Sequence, residues 1–183
     1  LLTTADGAVA RVSLDKPLIT DQGIGELSDA EIAEAAPGRR VYIQTSRGEA
    51  DLSRLALLDV ATGKVLKDEI QWAKFTGISW VGNSGFLYSR FPEPEKGQEF
   101  QSLNTNQEIR YHLLGTPQSD DPLIYATPKE PELNHSAEVS DDGSFLLVTS
   151  SSGTDERYRL TMIDVKDPAK RRVLVPELKN DWQ

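Results

Sequence analysis

The chain has 183 residues, 38% of them hydrophobic, with five Phe, five Tyr and three Trp, which is enough for a real core and too much for a disordered tail. A net charge of −9 leaves no basic stripe from which counterion release could drive nucleic-acid binding, and the absence of Cys excludes a disulfide framework, a thiolate metal site and a Cys nucleophile together. No apolar run approaches the roughly 20 residues that span a bilayer, and Leu1 to Val12 has neither a basic n-region nor an apolar h-region, so a soluble chain without a membrane partner is expected.

The N-terminal stretch carries the least pattern. Leu1 to Leu27, with Gly23 and Gly25, has no clear period, and residues 1–30 are expected to form an incomplete preceding unit or an irregular lead. Ser28 to Glu31 has the form of a capping box, and the Ala/Glu/Ile-rich run to Ala36 stops at Pro37-Gly38, which spells a short helix. Strand periodicity instead asks for a strand over Glu31 to Ala36, and this is the reading we favour, because tertiary packing overrides weak local propensity.

From there one order of events recurs three times. The first copy runs Arg40 to Thr45, then Arg54 to Asp59, a turn at Ala61 to Gly63, then Lys64 to Leu66. The second runs Gly85 to Ser89, Glu108 to His112, a turn at Gly115 to Pro117, then Leu123 to Tyr125. The third runs Ser144 to Thr149, Tyr158 to Asp164, a turn at Lys166 to Pro168, then Arg172 to Val175. A further strand precedes two of the copies: Gly77 to Trp80 before the turn at Val81 to Gly85, and Ala137 to Ser140 before Asp141-Asp142-Gly143. Period-2 alternation bounded by Gly, Asn and Asp turns is the mark of half-buried antiparallel hairpins.

Four such strands recurring at a spacing of roughly 45 to 60 residues are the signature of propeller blades. A β-sandwich also has short strands and regular turns, but it does not require a fixed order of turn types. The expected fold is therefore all-β: about three four-stranded antiparallel blades, over about 31–70, 75–128 and 136–178, within a β-propeller region spanning 31–183. Asp141-Asp142-Gly143 lacks the alternating carboxylates of a calcium loop and reads as a hairpin turn.

Several segments in this order resemble one known family. They are Glu69 to Trp80, Tyr88 to Pro94, Leu103 to Gln107, His112 to Asp120, Ala137 to Gly143 and Ser152 to Asp155. From Gly38 through Trp182 the chain is similar to the propeller domain of bacterial prolyl oligopeptidases, a family of serine peptidases. Asp6 to Ala10 is similar to a stretch just before the corresponding blade, whereas Arg11 to Leu27 departs from the pattern. The resemblance implies a seven-bladed propeller capping an α/β-hydrolase domain, whose Ser, Asp and His cleave short peptides on the carboxyl side of proline. A thiol-free chain suits the bacterial cytoplasm and the periplasm alike.

The resemblance also implies a substrate-cavity lining. Phe75 matches an aromatic near the cavity, Thr154 a position at its rim, and Asn134 a position where some members carry Met, so an apolar contact is lost there. Read from local sequence alone, Phe75 is a core residue and Thr154 a turn residue held by its own hydroxyl bond. None of the three is expected to be catalytic.

A direct search for chemistry leads the same way. The pattern Gly-x-Ser-x-Gly is absent, and Gly82-Asn83-Ser84-Gly85 has the wrong spacing within a hairpin turn. His112 lies in an alternating strand and His135 in what reads as a polar loop, with no Ser or Asp placed by sequence to complete a triad with either. Two His without a His-x-x-x-His pair make no zinc site, and no metal or cofactor is expected. Pro92 to Lys96 reads as a solvated, stiffening loop.

The chain opens on Leu1 and closes on Asp181-Trp182-Gln183 after an acidic-polar turn, and we expect it to be an excerpt of a longer protein. The function expected is that of a substrate-gating propeller fragment of a prolyl oligopeptidase-like serine endopeptidase, inactive alone. Its expected partners are the α/β-hydrolase domain of the same parent chain and a short proline-containing peptide. The alternative is a free-standing, non-catalytic propeller that binds peptides or proteins. About three blades do not close a ring, so self-association or marginal folding of the isolated chain is expected.

Overall fold

The computed structural model describes residues 2–3, 9–10, 19–20, 23–24, 40–46, 53–59, 64–82, 84–95 and 104–179. Two short ribbons come first, β1 (Leu2–Thr3) with β2 (Val9–Ala10) and β3 (Ile19–Thr20) with β4 (Gly23–Ile24). The capping-box stretch at Ser28 to Glu31, the alternative strand to Ala36 and the turn at Ala61 to Gly63 lie outside the described residues.

Three antiparallel meanders follow. The first sheet joins β5 (Arg40–Ser46), β6 (Ser53–Asp59) and β7 (Lys64–Ile70). The second has the order β8 (Ile78–Val81), β9 (Gly85–Arg90), β10 (Glu108–Leu113) and β11 (Leu123–Ala126). The third has the order β12 (Leu133–Val139), β13 (Phe145–Ser152), β14 (Tyr158–Asp164) and β15 (Arg171–Val175). In each sheet every strand pairs with its neighbour in sequence, as short hairpin links dictate.

Turn chemistry sets these registers. Gly143, at φ 69°, closes the β12–β13 hairpin by donating to the Ser140 carbonyl at 2.7 Å, and Ser140 in turn donates its backbone N–H to the Phe145 carbonyl at 2.9 Å. The Asp142 carboxylate accepts from both Ser140 and Ser144, and these bonds hold it at a pKa of about 2. This segment is the hairpin turn read from the sequence.

Packing separates a stack of blades from a sandwich. Strand β9 is buried on both faces from Gly85 to Ser89. Phe86 and Tyr88 face the first sheet and pack with Leu57, Ile70, Ala73 and Trp80. Leu87 faces the third sheet and packs with Ile109, Tyr125, Leu146, Val148 and Ile163. A sheet with two buried faces is an inner layer, whereas each sheet of a sandwich buries one. At roughly 1.5–3 kcal/mol per large apolar side chain buried, these two layers dominate the stability of the described region.

Polar bonds between sheets add register to this packing. The Ser89 hydroxyl donates to the His135 carbonyl at 2.6 Å, and the Val139 N–H donates to Ser79 Oγ at 2.9 Å. Between the first and second sheets, Gln71 and Gln118 exchange reciprocal bonds, both at 3.0 Å. Gln118 belongs to a single 3₁₀ turn, Gln118–Asp120.

Two elements extend beyond their sequence-based limits. β7 runs to Ile70 because the charged residues Lys67 and Glu69 point outward while Leu66, Asp68 and Ile70 turn inward, so period 2 survives across a polar stretch. β12 begins at Leu133, which corrects the placement of His135 in a polar loop. Leu133 and His135 alternate inward and are buried, while Asn134 and Ser136 take the other face. A polar residue satisfied in a core strand carries no loop signal, and the composition of this stretch concealed the strand.

Candidate functional site

The loop between β7 and β8 is built under constraint. Trp72 and Phe75 both hold left-handed backbone, at φ 61° and 54°, a region that costs bulky residues of order 1–3 kcal/mol each unless the surroundings impose it. Here they do: Phe91 donates its N–H to the Trp72 carbonyl at 3.0 Å, and Ser89 donates its N–H to Thr76 Oγ1 at 2.7 Å. The consequence is that Phe75 is turned outward and left 66% exposed, with the Lys74 ammonium 4.9 Å from its ring centroid. Phe75 is therefore not the core residue that local sequence suggests.

Thr154 stands exposed in the turn between β13 and β14, where Gly153 at φ 56° permits the reversal and Asp155 donates its N–H to the Ser152 carbonyl at 3.0 Å. Asn134 lies on β12 opposite Ser151 of β13. Residues 75, 134 and 154 come from three different elements, and all three line one cavity of about 510 Å³. Asn104, Glu132, His135, Ser136, Thr149, Ser151 and Gly153 complete its wall among the described residues, and of these Glu132 alone is formally charged at neutral pH. Among the described residues the cavity thus pairs the exposed Phe75 ring with hydroxyl and amide groups suited to a peptide backbone. Sequence reasoning had not found Asn104, Glu132, Thr149 or Ser151; only the period-2 pairing of β12 with β13 puts Thr149 and Ser151 on the face of Asn134 and Ser136.

Neither histidine is arranged for acyl transfer. His135 Nδ1 is 2.9 Å from Ser150 Oγ and its Nε2 3.1 Å from Thr127 Oγ1, a serine–imidazole contact in which the second ring nitrogen meets a hydroxyl and not a carboxylate among the described residues. Ser150 and His135 are both buried, and Ser150 is not among the residues that line the cavity. Burial, aided by the positive charge of Arg159, lowers the His135 pKa to about 4, which makes it a poor base at neutral pH.

His112 is the opposite case. Its Nδ1 lies 2.9 Å from Asp121 Oδ1 and its Nε2 3.2 Å from Asp68 Oδ1, so one ring is held between carboxylates of two sheets. Burial alone would lower its pKa, but Asp121 and then Asp68 outweigh that and raise it. The Tyr88 hydroxyl donates to Asp121 Oδ2 at 2.7 Å, and burial followed by this bond raises the phenol pKa further above its ordinary value. The cluster is a buried cross-sheet clasp. Among the described residues no group of three or more His, Cys, Asp or Glu is arranged to hold a metal ion. Nor is any helix among them long and apolar enough to cross a membrane.

Antiparallel meanders, one of three described strands and two of four, packed face to face with the middle one buried on both sides, define an open portion of a β-propeller. The family model described as "Prolyl oligopeptidase, N-terminal beta-propeller domain" matches residues 3–183, and the chain belongs to that family. It is 33% identical over 144 residues to the prolyl endopeptidase of Elizabethkingia meningoseptica, covering 79% of this chain and 20% of that enzyme. It is 30% identical over 197 residues to prolyl oligopeptidase A of Galerina marginata, covering 100% of this chain and 26% of the relative. Among solved structures, one from a study of two prolyl endopeptidases superposes with a TM-score of 0.70 at 40% identity, over 81% of this chain and 21% of that one. Prolyl oligopeptidase B of Galerina marginata, bound to a 35-residue hydrolysis and macrocyclization substrate, superposes with a TM-score of 0.64 at 25% identity, over 76% of this chain and 21% of that one.

Proposed function

We propose that the chain is the substrate-gating part of a prolyl oligopeptidase-like serine endopeptidase that cleaves short peptides after proline. In this reading residues 1–30 are a lead to blades over about 31–70, 75–128 and 136–178. The partners are an α/β-hydrolase domain of the same parent chain and the peptide itself. The propeller selects by access: a narrow peptide enters a sequestered cavity and a folded protein does not.

One observation carries the proposal. Phe75, Asn134 and Thr154, far apart in sequence, gather on one cavity, and the backbone holds the Phe75 ring out of the core at a conformational cost. In the gating reading that ring packs against an apolar part of the peptide, while Asn134 and Thr154 offer hydrogen bonds to its backbone. Reactive chemistry is left to the other domain, in keeping with the burial of both histidines.

The test compares the full-length protein with this chain alone on a short fluorogenic Gly-Pro substrate, with and without a serine-directed inhibitor. Inhibitor-sensitive hydrolysis by the full-length protein, and none by the chain, is expected. An inactive full-length protein, or an active isolated chain, contradicts the proposal.

A further inference from the structure

Gln107 is 1% exposed, yet it opens a segment between an exposed Asn106 and a half-buried Glu108. A buried carboxamide has to satisfy an acceptor and two donors, so where it points is dictated by its partners. Its Oε1 accepts the backbone N–H of His135 at 2.5 Å, and its Nε2 lies 3.4 Å from the Lys74 carbonyl it donates to. Lys74 immediately precedes Phe75, and His135 immediately follows Asn134.

The segment that carries Gln107 is itself pinned to the cavity. Asn106, left-handed at φ 59°, donates its N–H to the Pro131 carbonyl at 2.7 Å, next to Glu132, and Asn104 lies two residues earlier on the cavity wall. One carboxamide thus sits where the wall bearing Phe75, the wall bearing Asn134 and the segment bearing Asn104 meet. An aromatic ring 66% exposed has few contacts of its own to fix it, so its position is inherited from the backbone at Lys74.

We propose that Gln107 is a positioning residue for the cavity: its side chain sets the separation between the Phe75 wall and the Asn134 wall, and through it the affinity for a short peptide. The affinity part rests on the gating function proposed above; the strut itself does not. Gln107→Met keeps the length and volume of the side chain and removes both bonds. Gln107→Glu keeps the acceptor toward His135 and stands in where the Met variant does not fold. A control, Ile163→Val, trims the core on β14.

In the full-length protein, the KM for a fluorogenic Gly-Pro substrate should rise roughly fivefold in Gln107→Met, the size expected for losing a net hydrogen bond, with kcat within about twofold. Ile163→Val should lower the melting temperature without moving KM. In a Phe75→Ala background the Gln107 substitution should add little, because both act through the same wall. A KM that moves no more than in the Ile163→Val control, or effects that simply add, overturns the positioning role. Hydrogen exchange on the full-length protein, read over residues 72–77 and 133–137, checks the strut without activity. Faster exchange in both stretches in Gln107→Met is expected, and unchanged exchange refutes the strut even if the protein has no peptidase activity. If exchange quickens and no variant hydrolyses the substrate, the gating function fails, and with it the affinity part, while the strut stands.

Discussion

At the scale of single residues, the two histidines show how burial and neighbours send one side chain in opposite directions. His135, among Ser150, Thr127 and the edge of Tyr125, finds no carboxylate bond and stays neutral down to about pH 4. His112, between Asp68 and Asp121, keeps its proton above the ordinary range. The signs for stability follow. The His112 contribution is complete below its unfolded pKa near 6.5 and is lost as pH rises through its raised folded value. The His135 contribution is present above 6.5 and is lost as pH falls toward 4, to a total of about 3 kcal/mol. Stability should therefore peak near pH 6.5 in urea unfolding series. In histidine-labelled protein, with His112→Gln and His135→Gln variants for assignment, one imidazole should titrate near pH 4 and the other above 6.5. Two ordinary titrations near 6.5 contradict both environments.

At the scale of elements, hairpins were legible because their determinants are local. Gly143, Gly153 and Gly115 stand where the backbone is left-handed, and strands such as Tyr158–Asp164 carry their alternation in their own residues. Contacts between sheets were not legible, since Asp68 and His112 are 44 residues apart and Gln107 and His135 are 28 apart, and nothing local in the sequence pairs them. The cavity was legible in part: Phe75 could be picked out through its family resemblance, but its left-handed backbone and outward ring could not. Gly85 shows the same limit. A Cβ at that position would run into the His112 carbonyl and the end of the Tyr111 ring, so β9 and β10 approach closely only because Gly85 has none. Gly85→Ala should destabilise by about 3 kcal/mol or more in urea unfolding, at or beyond the upper end of ordinary overpacking. A loss within a few tenths of a kcal/mol would show that the strands part easily there.

At the scale of the whole molecule, the described sheets form an open stack with apolar residues left outside. Phe145 is 38% exposed, Val173 50% and Leu174 40%, all on the last sheet of the stack. Exposed apolar groups beside an edge strand, β15, which among the described residues pairs on one side only, favour association, so the chain alone should form oligomers in sedimentation at micromolar concentration. A sharply melting monomer would contradict that. The chain spans only 20% of the prolyl endopeptidase it resembles, and the gating proposed for it requires a catalytic domain to guard. The most direct test of gating is therefore size selection by the full-length protein. One Gly-Pro bond is presented in a short peptide and in a surface loop of a folded protein, and kcat/KM is compared. Rapid cleavage of the peptide with the folded protein left intact is the result expected of a propeller that filters by access. Equal cleavage of both contradicts it.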